Sequence, residues 1–235
     1  MKNSYKKFAY YYDEVITNNT NYDLWVEFVE PYINKNSNIL DLACGTGTFI
    51  TMLKLKGYNV SGLDLSDEII EIAKEKAKLN RLSIPFYIAD MTNFKLSEKF
   101  DLITCFFDSI NFLKEKTDIK KMLDSVYKHL NNDGYFIFDI FSKELMKEYE
   151  NNIIDEDFET FKIKWNTKHD NNKLIHNIKL IEDDNIIEEK YYEYYYDIKD
   201  LLDKRFKLIK ISGDFNDDLE AEDERILIIL QKNEA

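Results

Sequence analysis

The chain has 235 residues, of which 44% are hydrophobic, so it is long enough for one main domain with a sizeable core. Its formal net charge of −13 would repel a polyphosphate backbone, and nucleic acid is therefore not an expected partner. No apolar run approaches the length of a membrane span and the N-terminal residues lack a signal-peptide core, so we expect a cytoplasmic protein without a membrane partner.

Two helices are predicted before the first strand, over residues 5–17 and 20–34. The second carries apolar residues at helical spacing: Trp25, Phe28, Val29 and Tyr32. Residues 34–38 then break the helical pattern. We expect residues 1–34 to cap the ligand site of the main domain.

An apolar strand over residues 38–42 ends in a glycine turn. From Asp41 to Gly47 the chain reads Asp-Leu-Ala-Cys-Gly-Thr-Gly, and a second strand over 58–63 ends at Asp64. Such a turn lets a ligand approach the backbone closely, and a carboxylate at the end of the next parallel strand can bind a ribose diol. The two strand ends therefore indicate a nucleoside site.

The spacing of the turn disfavours two common nucleotide cofactors. A dinucleotide turn needs glycine at its third fingerprint position, where this chain has Ile50. A Walker loop ends in Gly-Lys-Ser/Thr, and that tripeptide does not occur in the sequence. NAD and ATP are therefore both disfavoured.

The following segments predict further strands and helices of the same sheet. Ser66 is a good helix N-cap, and strands are predicted near 84–88, 100–106 and 135–140. The strand at 100–106 is nearly all apolar, which is typical of a parallel strand covered by helices on both faces. Thr117 is predicted to cap the helix between the last two of these strands.

The pattern changes after a short helix near residues 142–150. Segments 158–165, 174–181 and 186–196 read as three strands joined by turns too short for a crossover helix, so they are predicted to be antiparallel. We interpret residues 151–197 as an inserted β lid, and 1–150 with 198–235 as the main domain. A helix at 198–204 and strands near 205–213 and 223–231 complete the predicted sheet.

The cysteines and histidines do not predict a metal site. Cys44 and Cys105 have neither disulfide nor metal-ligand spacing, and we expect both to be reduced. The three histidines, His129, His169 and His176, are scattered along the chain. No metal is predicted.

The motif from Asp41 to Gly47 resembles the first motif of class I S-adenosylmethionine-dependent methyltransferases, with Ala43 where the family often has glycine. The resemblance continues in family order through residues 62–66, 89–91 and 100–113. The N-terminal tyrosines resemble a bacterial subgroup that includes YqeM-like proteins, and the enzymes that dimethylate nucleotide-linked amino sugars. The resemblance to these methyltransferases implies an α/β, Rossmann-like seven-stranded sheet with helices on both faces. It also implies the inserted antiparallel lid.

The resemblance also implies how S-adenosylmethionine, and its product S-adenosylhomocysteine, would be held. Asp64 would bind the ribose hydroxyls, Leu65 the adenine edge, and Asp90 with the Met91 backbone the adenine polar groups. Asp41 would bind the amino group of the cofactor. The remaining predicted contacts are the turn residues, the end of the fourth strand and one tyrosine of the first helix: Ala43, Gly45, Gly47, Cys105, Phe106 and Tyr12. Cys105 and Phe106 could instead serve only in core packing, and Asp90 could instead only cap a turn. Tyr11 is the alternative to Tyr12 as the tyrosine that contacts the cofactor.

The side that would bind the methyl acceptor has weaker signals. Candidates follow the fourth strand or lie on the last lid strand, where alternation would turn three tyrosines to one face: Asp108, Ser109, Asn111, Tyr192, Tyr194 and Tyr196. Aromatic side chains can hold a cation, so an amine is one hypothesis for the acceptor, although a tyrosine-rich strand more often reflects sheet packing alone. No His/acid pair in the sequence marks a general base.

The sequence therefore predicts methylation of a small molecule, with nitrogen favoured over oxygen as the acceptor atom. An RNA or protein methyltransferase is one alternative, which the net charge opposes for RNA. A non-catalytic, cofactor-binding regulatory protein is another. The sequence does not identify the acceptor or the oligomeric state.

Overall fold

The computed structural model describes residues 8–17, 20–149, 152–183 and 185–233. Its α-helices are α1 (Phe8–Thr17), α2 (Tyr22–Val29), α3 (Thr48–Leu55), α4 (Asp67–Leu79), α5 (Lys116–His129) and α6 (Lys143–Glu148). The strands of the main sheet are β1 (Asn38–Leu42), β2 (Asn59–Asp64), β3 (Phe86–Ile88), β4 (Phe100–Cys105), β5 (Leu130–Phe141), β10 (Phe206–Gly213) and β11 (Arg225–Lys232). The strands of a second sheet are β6 (Ile153–Asp157), β7 (Lys162–Asp170), β8 (Lys173–Glu182) and β9 (Asn185–Tyr194).

The main sheet has seven strands in the order β3-β2-β1-β4-β5-β11-β10. Strands β1 to β5 are parallel, whereas β11 runs antiparallel to both of its neighbours. The chain moves outward from β1 through β2 to β3 and then crosses to β4 on the other side of β1. This confirms the predicted Rossmann-like α/β fold, and it places the topological switch point between β1 and β4.

Helices cover both faces of the main sheet, because its central strands bury side chains in both directions. Leu102 of β4 lies in the core formed with α2 and α3, whereas its neighbour Ile103 lies in the core formed with α5. Both side chains are completely buried. Their strand is therefore fixed on both faces, and the carboxyl ends of β1 and β4 have a defined position at the rim.

The second sheet is antiparallel, in the order β6-β7-β8-β9. It lies within the predicted insert, but it has four strands where the sequence predicted three, because Ile153–Asp157 pairs with β7. One face packs apolar side chains against α1, among them Ile163, Ile178 and Val15. We refer to this sheet as the lid sheet.

Three predicted helices differ from the observed ones. The helix over 20–34 ends at Val29, because Pro31 has no backbone N–H, and a 3₁₀ turn follows over Glu30–Tyr32. Helix α5 begins at Lys116 with Glu115 as its N-cap, so Thr117 lies inside the first turn. The predicted helix at 198–204 is a single 3₁₀ turn, Ile198–Asp200. Across the described residues, no helix combines the length and apolarity needed to cross a membrane.

Candidate active site

The glycine turn lies at the carboxyl end of β1, beside the switch point. Ala43, Gly45 and Gly47 have φ values of +52°, +54° and +76°. A β-carbon placed on Gly45 would meet no atom of the described residues within 4 Å, whereas one on Gly47 would lie 3.3 Å from the Ala73 side chain. Gly47 thus allows close packing on α4, and Gly45 leaves open space in which a ligand can approach the backbone.

Ala43 occupies a left-handed conformation that costs an L-residue about 1–2 kcal/mol. Ala43→Gly should relieve this strain and offset the extra entropy of glycine in the unfolded chain. We expect the free energy of unfolding to rise by about 0.5 kcal/mol. Urea unfolding would measure it, with Ala77→Gly in the buried face of α4 as a control that loses about 1 kcal/mol or more. A loss of stability in Ala43→Gly would contradict the strain argument.

Asp64 is held rigidly at the carboxyl end of β2. Its Oδ2 accepts the backbone N–H of Gly45 at 3.0 Å, and its Oδ1 accepts the backbone N–H of Ser66 at 3.0 Å. Burial raises the pKa of Asp64, and these backbone N–H groups oppose the rise. Each oxygen retains capacity for a further donor, so the carboxylate is suited to bind a diol.

The predicted adenine contacts lie on the loops after β2 and β3. Leu65 is 66% exposed directly after Asp64, although it is a large apolar side chain. Asp90 Oδ1 accepts bonds from the Thr92 backbone N–H and hydroxyl at 2.8 and 2.7 Å, so this acid also caps its own turn. Met91 packs partly against the core. The adenine roles of these residues remain predictions.

Asp41 is buried at the end of β1, where its Oδ1 accepts the Thr104 hydroxyl at 2.6 Å. Burial raises the pKa of Asp41 to about 7, although the Thr104 hydrogen bond opposes the rise. The carboxylate of Asp64 adds to the rise. Asp41 therefore supports the turn from within the protein, and a ligand that brings positive charge would favour its ionised form.

Asp41→Asn should stabilise the ligand-free protein at high pH. The folded state raises the pKa of Asp41 from about 4 to about 7, so it binds the proton more tightly than the unfolded chain, and wild-type stability falls as pH rises across this interval. Asparagine can still accept the Thr104 hydroxyl. We expect a gain on the order of 2–4 kcal/mol at pH 8 that disappears near pH 4. Urea unfolding at both pH values would measure it, and an equal effect at both would contradict it.

A polar cluster ties helix α1 to the glycine turn. Asp13 accepts the Thr46 hydroxyl at 2.6 Å and forms an ion pair with Lys76 of α4. Lys76 also donates to the Thr48 hydroxyl at 2.6 Å. These contacts hold α1 across the turn and fix the adjacent Tyr12.

Tyr12 lies half-buried between the main domain and the lid sheet. Burial raises the pKa of its hydroxyl well above the usual range, and the rise is increased by nearby Tyr22, Asp108 and Glu193. The positive charge of Arg225 opposes this rise. The predicted contact of Tyr12 with the methionine end of the cofactor remains a prediction.

Cys105 and Phe106 are buried in the core, with exposed fractions of 0% and 2%. The Phe106 ring packs on Trp25 and Phe49 at centroid distances of 4.7 and 5.1 Å. The structure therefore favours core packing for these two side chains, the alternative that the sequence left open. Their predicted contact with the cofactor remains a prediction.

Acidic side chains meet beyond the carboxyl end of β4. Asp108 has a φ of +49°, and its backbone N–H donates to Asp139 Oδ2 of β5 at 2.9 Å. Arg225 of β11 pairs with Asp139, and its Nη2 lies 3.4 Å from Asp108 Oδ2. Burial raises the pKa of Asp108 to about 6, partly offset by Arg225.

The lid sheet adds a histidine and a glutamate to this group. His176 Nε2 lies 3.2 Å from Glu193 Oε2, while its Nδ1 accepts the Trp165 indole N–H at 3.0 Å. Because Nδ1 accepts, the imidazole proton lies on Nε2 and points to Glu193. Glu193 is close enough to raise the pKa of Asp108. We call Asp108, Asp139, His176, Glu193 and Arg225 the acidic cluster.

Sequence reasoning missed four members of the acidic cluster, although two of them carried a signal. Asp139 interrupts the apolar run over residues 135–141 of β5. His176 alternates with Leu174 and Ile178 on the buried face of β8. A polar residue in a buried phase indicates a polar network, which would have identified both residues.

Ser109 and Asn111 support the loop that carries Asp108. The Ser109 hydroxyl donates to the Phe106 carbonyl at 2.8 Å. Asn111 is completely buried, and its Nδ2 donates to the Tyr194 carbonyl of the lid sheet at 2.8 Å. Both side chains thus have local structural partners, and Asn111 joins the two sheets.

The three predicted lid tyrosines do not share one face toward the site. Tyr192 is 38% exposed, and its ring lies near Lys173 and Lys190. Tyr196 lies beyond the end of β9, buried with its hydroxyl bonded to the Leu113 carbonyl. Tyr194 packs partly against the core of the main domain. Tyr191 and Glu193 alternate with these tyrosines along the chain, and their side chains are largely buried. The predicted acceptor contacts of the three tyrosines remain predictions.

Residues 39–134 match the family model of a methyltransferase domain. A Geobacillus sp. (strain WCH70) protein assigned to the methyltransferases is 35% identical over 144 residues, 59% of this chain and 58% of the relative. The Bacillus subtilis (strain 168) protein YqeM, assigned likewise, is 29% identical over 98% of each chain. More distant relatives include two N,N-dimethyltransferases of dTDP-linked amino sugars, of which the chain spans 44% and 39%.

A crystal structure of an S-adenosylmethionine-dependent methyltransferase from Clostridium acetobutylicum shares the fold with a TM-score of 0.84 and 29% identity. The alignment covers 98% of this chain and 99% of that one. The open space at Gly45 and the carboxylate of Asp64 fit the nucleoside of this cofactor. Residues 39–134 therefore form a methyltransferase domain, and the motifs, the sheet topology and these relatives support an S-adenosylmethionine-dependent methyltransferase.

Proposed function

We propose that this enzyme transfers a methyl group to the nitrogen of a small-molecule amine. The observation that carries the proposal is the acidic cluster, which gathers around Asp108 after the carboxyl end of β4, one of the two strands at the switch point. It contains three carboxylates and one guanidinium, so negative charge is in excess when the carboxylates are ionised. This excess of negative charge favours the binding of a positively charged acceptor.

An amine acceptor needs a group that removes a proton from its ammonium form, and the site offers the carboxylate of Asp108 for this step. Bound S-adenosylmethionine supplies an electrophilic methyl carbon, and the acceptor must present a free lone pair. An ammonium ion must therefore lose a proton first, and Asp108, whose pKa is raised to about 6 by burial, is a suitable acceptor near neutral pH. An aliphatic hydroxyl group is a far weaker acid than an ammonium ion, so Asp108 would be a poorer base for an alcohol than for an amine.

Some of the relatives support this choice. Two of them are named as N,N-dimethyltransferases of amino sugars, and a sugar N-methyltransferase shares the fold at 16% identity and a TM-score of 0.79. The net charge of −13 opposes a polyphosphate acceptor. These points support a small-molecule acceptor.

An acceptor screen tests the proposal. Purified protein and S-adenosylmethionine would be incubated with amines, alcohols, carboxylic acids, RNA and bacterial protein extract, following S-adenosylhomocysteine release and product mass. We expect turnover with amines and a product that carries its new methyl on nitrogen. Methylation confined to hydroxyl, carboxyl or macromolecular acceptors would overturn the proposal. Cofactor binding without any turnover would instead favour a regulatory protein.

A further inference from the structure

The acidic cluster is assembled from two separate sheets. Asp108 and Asp139 belong to the main sheet and its loop, whereas Glu193 extends from β9 of the lid sheet. His176 is 4% exposed and is fixed from behind by Trp165 and by Thr167, whose hydroxyl lies 3.1 Å from Nδ1. Asn111, three residues after Asp108, donates to the carbonyl of Tyr194, the residue after Glu193, so β9 is bonded to the loop that carries Asp108 while His176 orients the Glu193 carboxylate.

The cluster has more hydrogen-bond acceptors than donors. Among the described residues, the completely buried Asp139 Oδ1 has no hydrogen-bond partner, although Oδ2 of the same carboxylate accepts the Asp108 backbone N–H. Arg225 is already engaged by Asp139 and Asp108, with its guanidinium 5.3 Å from the centre of the Trp25 ring. An ammonium group brings up to three N–H donors and one positive charge, which is what this arrangement lacks.

We infer that Asp108 and Glu193 form a two-carboxylate site that binds the acceptor as an ammonium ion, with His176 as the positioning residue for Glu193. This inference rests on the proposed function and names the charge state of the substrate and the lid residues that recognise it. The site is complete only when the lid sheet lies against the main domain.

The proton transfer at this site balances without any further reactant. Asp108 takes one proton from the ammonium ion and becomes a neutral carboxylic acid, leaving a neutral amine with a free lone pair. As the new C–N bond forms, the C–S bond of the cofactor breaks and its electron pair stays on sulfur. The methylated product is again an ammonium ion beside Glu193, and Asp108 returns its proton to water when the product leaves.

The titration of Asp108 should report on Glu193. Charged and titratable groups on several elements interact electrostatically with Asp108: Tyr12, Cys105, Asp139, Tyr149, His176, Glu193 and Arg225. Of these, Glu193 raises the pKa of Asp108, so Glu193→Gln should move the acidic limb of kcat/KM to lower pH. A purely structural role for Glu193 would not move this limb.

The test compares Glu193→Gln with Glu188→Gln, an exposed glutamate on the same strand. For an amine found in the screen, Glu193→Gln should raise KM about tenfold or more and shift the acidic limb, while Glu188→Gln should match wild type. His176→Leu should resemble Glu193→Gln, and His176→Gln, which can accept from Trp165 and donate to Glu193, should restore much of the loss.

A binding measurement gives a second readout without turnover. Protein saturated with S-adenosylhomocysteine would be titrated with n-propylammonium chloride and with 1-propanol, following amide chemical shifts by NMR. We expect only the cation to change the amide shifts of the loop after β4 and of strand β9. Glu193→Gln should weaken the binding of the cation about tenfold. If KM, the acidic limb of the pH profile and cation binding are all unchanged in Glu193→Gln, the inference is overturned. The proposed function, methylation of an amine, would not be affected by that result. Failure of the wild type to methylate any amine would instead overturn the proposed function.

Discussion

Asp64→Ala is expected to weaken the binding of S-adenosylmethionine and S-adenosylhomocysteine by about 30- to 1,000-fold. The wild-type carboxylate is buried and held by the backbone N–H groups of Gly45 and Ser66, so it is already oriented before a ligand binds. Two charge-assisted hydrogen bonds to a ribose diol are together worth about 2–4 kcal/mol. Isothermal titration calorimetry with both ligands would measure the loss.

The matched control is Asp67→Ala, which removes an exposed acid from the first turn of α4. This variant should bind both ligands with an affinity close to wild type. Because Asp64 also supports the turn, a ligand-side control is needed as well. An S-adenosylhomocysteine analogue without ribose hydroxyls should bind wild type weakly, and Asp64→Ala should lose little further affinity for it. Equal losses with the normal and the modified ligand would show that Asp64 acts only on the shape of the turn.

The cofactor half of the site could be predicted from the sequence because local rules determine it. Parallel strands place their carboxyl ends at one rim, so Asp41, Gly45 and Asp64 had to lie close together once β1 and β2 were recognised. The distinct roles of Gly45 and Gly47 could not be read in this way. They depend on Ala73 and Phe86, whose side chains lie close to Gly47 but not to Gly45.

The acceptor half depends on contacts between residues far apart in the chain. Arg225 meets Asp108 and Asp139 only because β11 inserts antiparallel beside β5. Strand β9 carries tyrosines and glutamates in both phases, so alternation alone could not show which face would be buried. Packing of Val15 and Phe161 in one cluster selects the face that carries Tyr191. The same face carries Glu193, which the sequence analysis did not assign to the site.

Asp108→Asn is expected to lower kcat/KM for an amine by about 10²- to 10⁴-fold, with little change in cofactor affinity. Asparagine preserves the size of the side chain and the backbone bond to Asp139, but it cannot take a proton. The cofactor contacts on the glycine turn and Asp64 remain intact. Steady-state kinetics with an amine identified in the screen, together with calorimetry for S-adenosylhomocysteine, would separate the two effects.

The pH profile identifies the reason for the loss. Burial raises the pKa of Asp108 to about 6, so the carboxylate that accepts the proton is present above that pH and is lost as pH falls through it. Wild-type kcat/KM should therefore fall on the acidic side with an apparent pKa of about 6, and Asp108→Asn should lack this limb. Asp118→Asn makes the same acid-to-amide change at the start of α5 and should leave rate and profile unchanged. An Asp108→Asn protein within tenfold of wild type, with the acidic limb intact, would show that the proton goes to another group and would remove the basis for assigning Asp108 as the base.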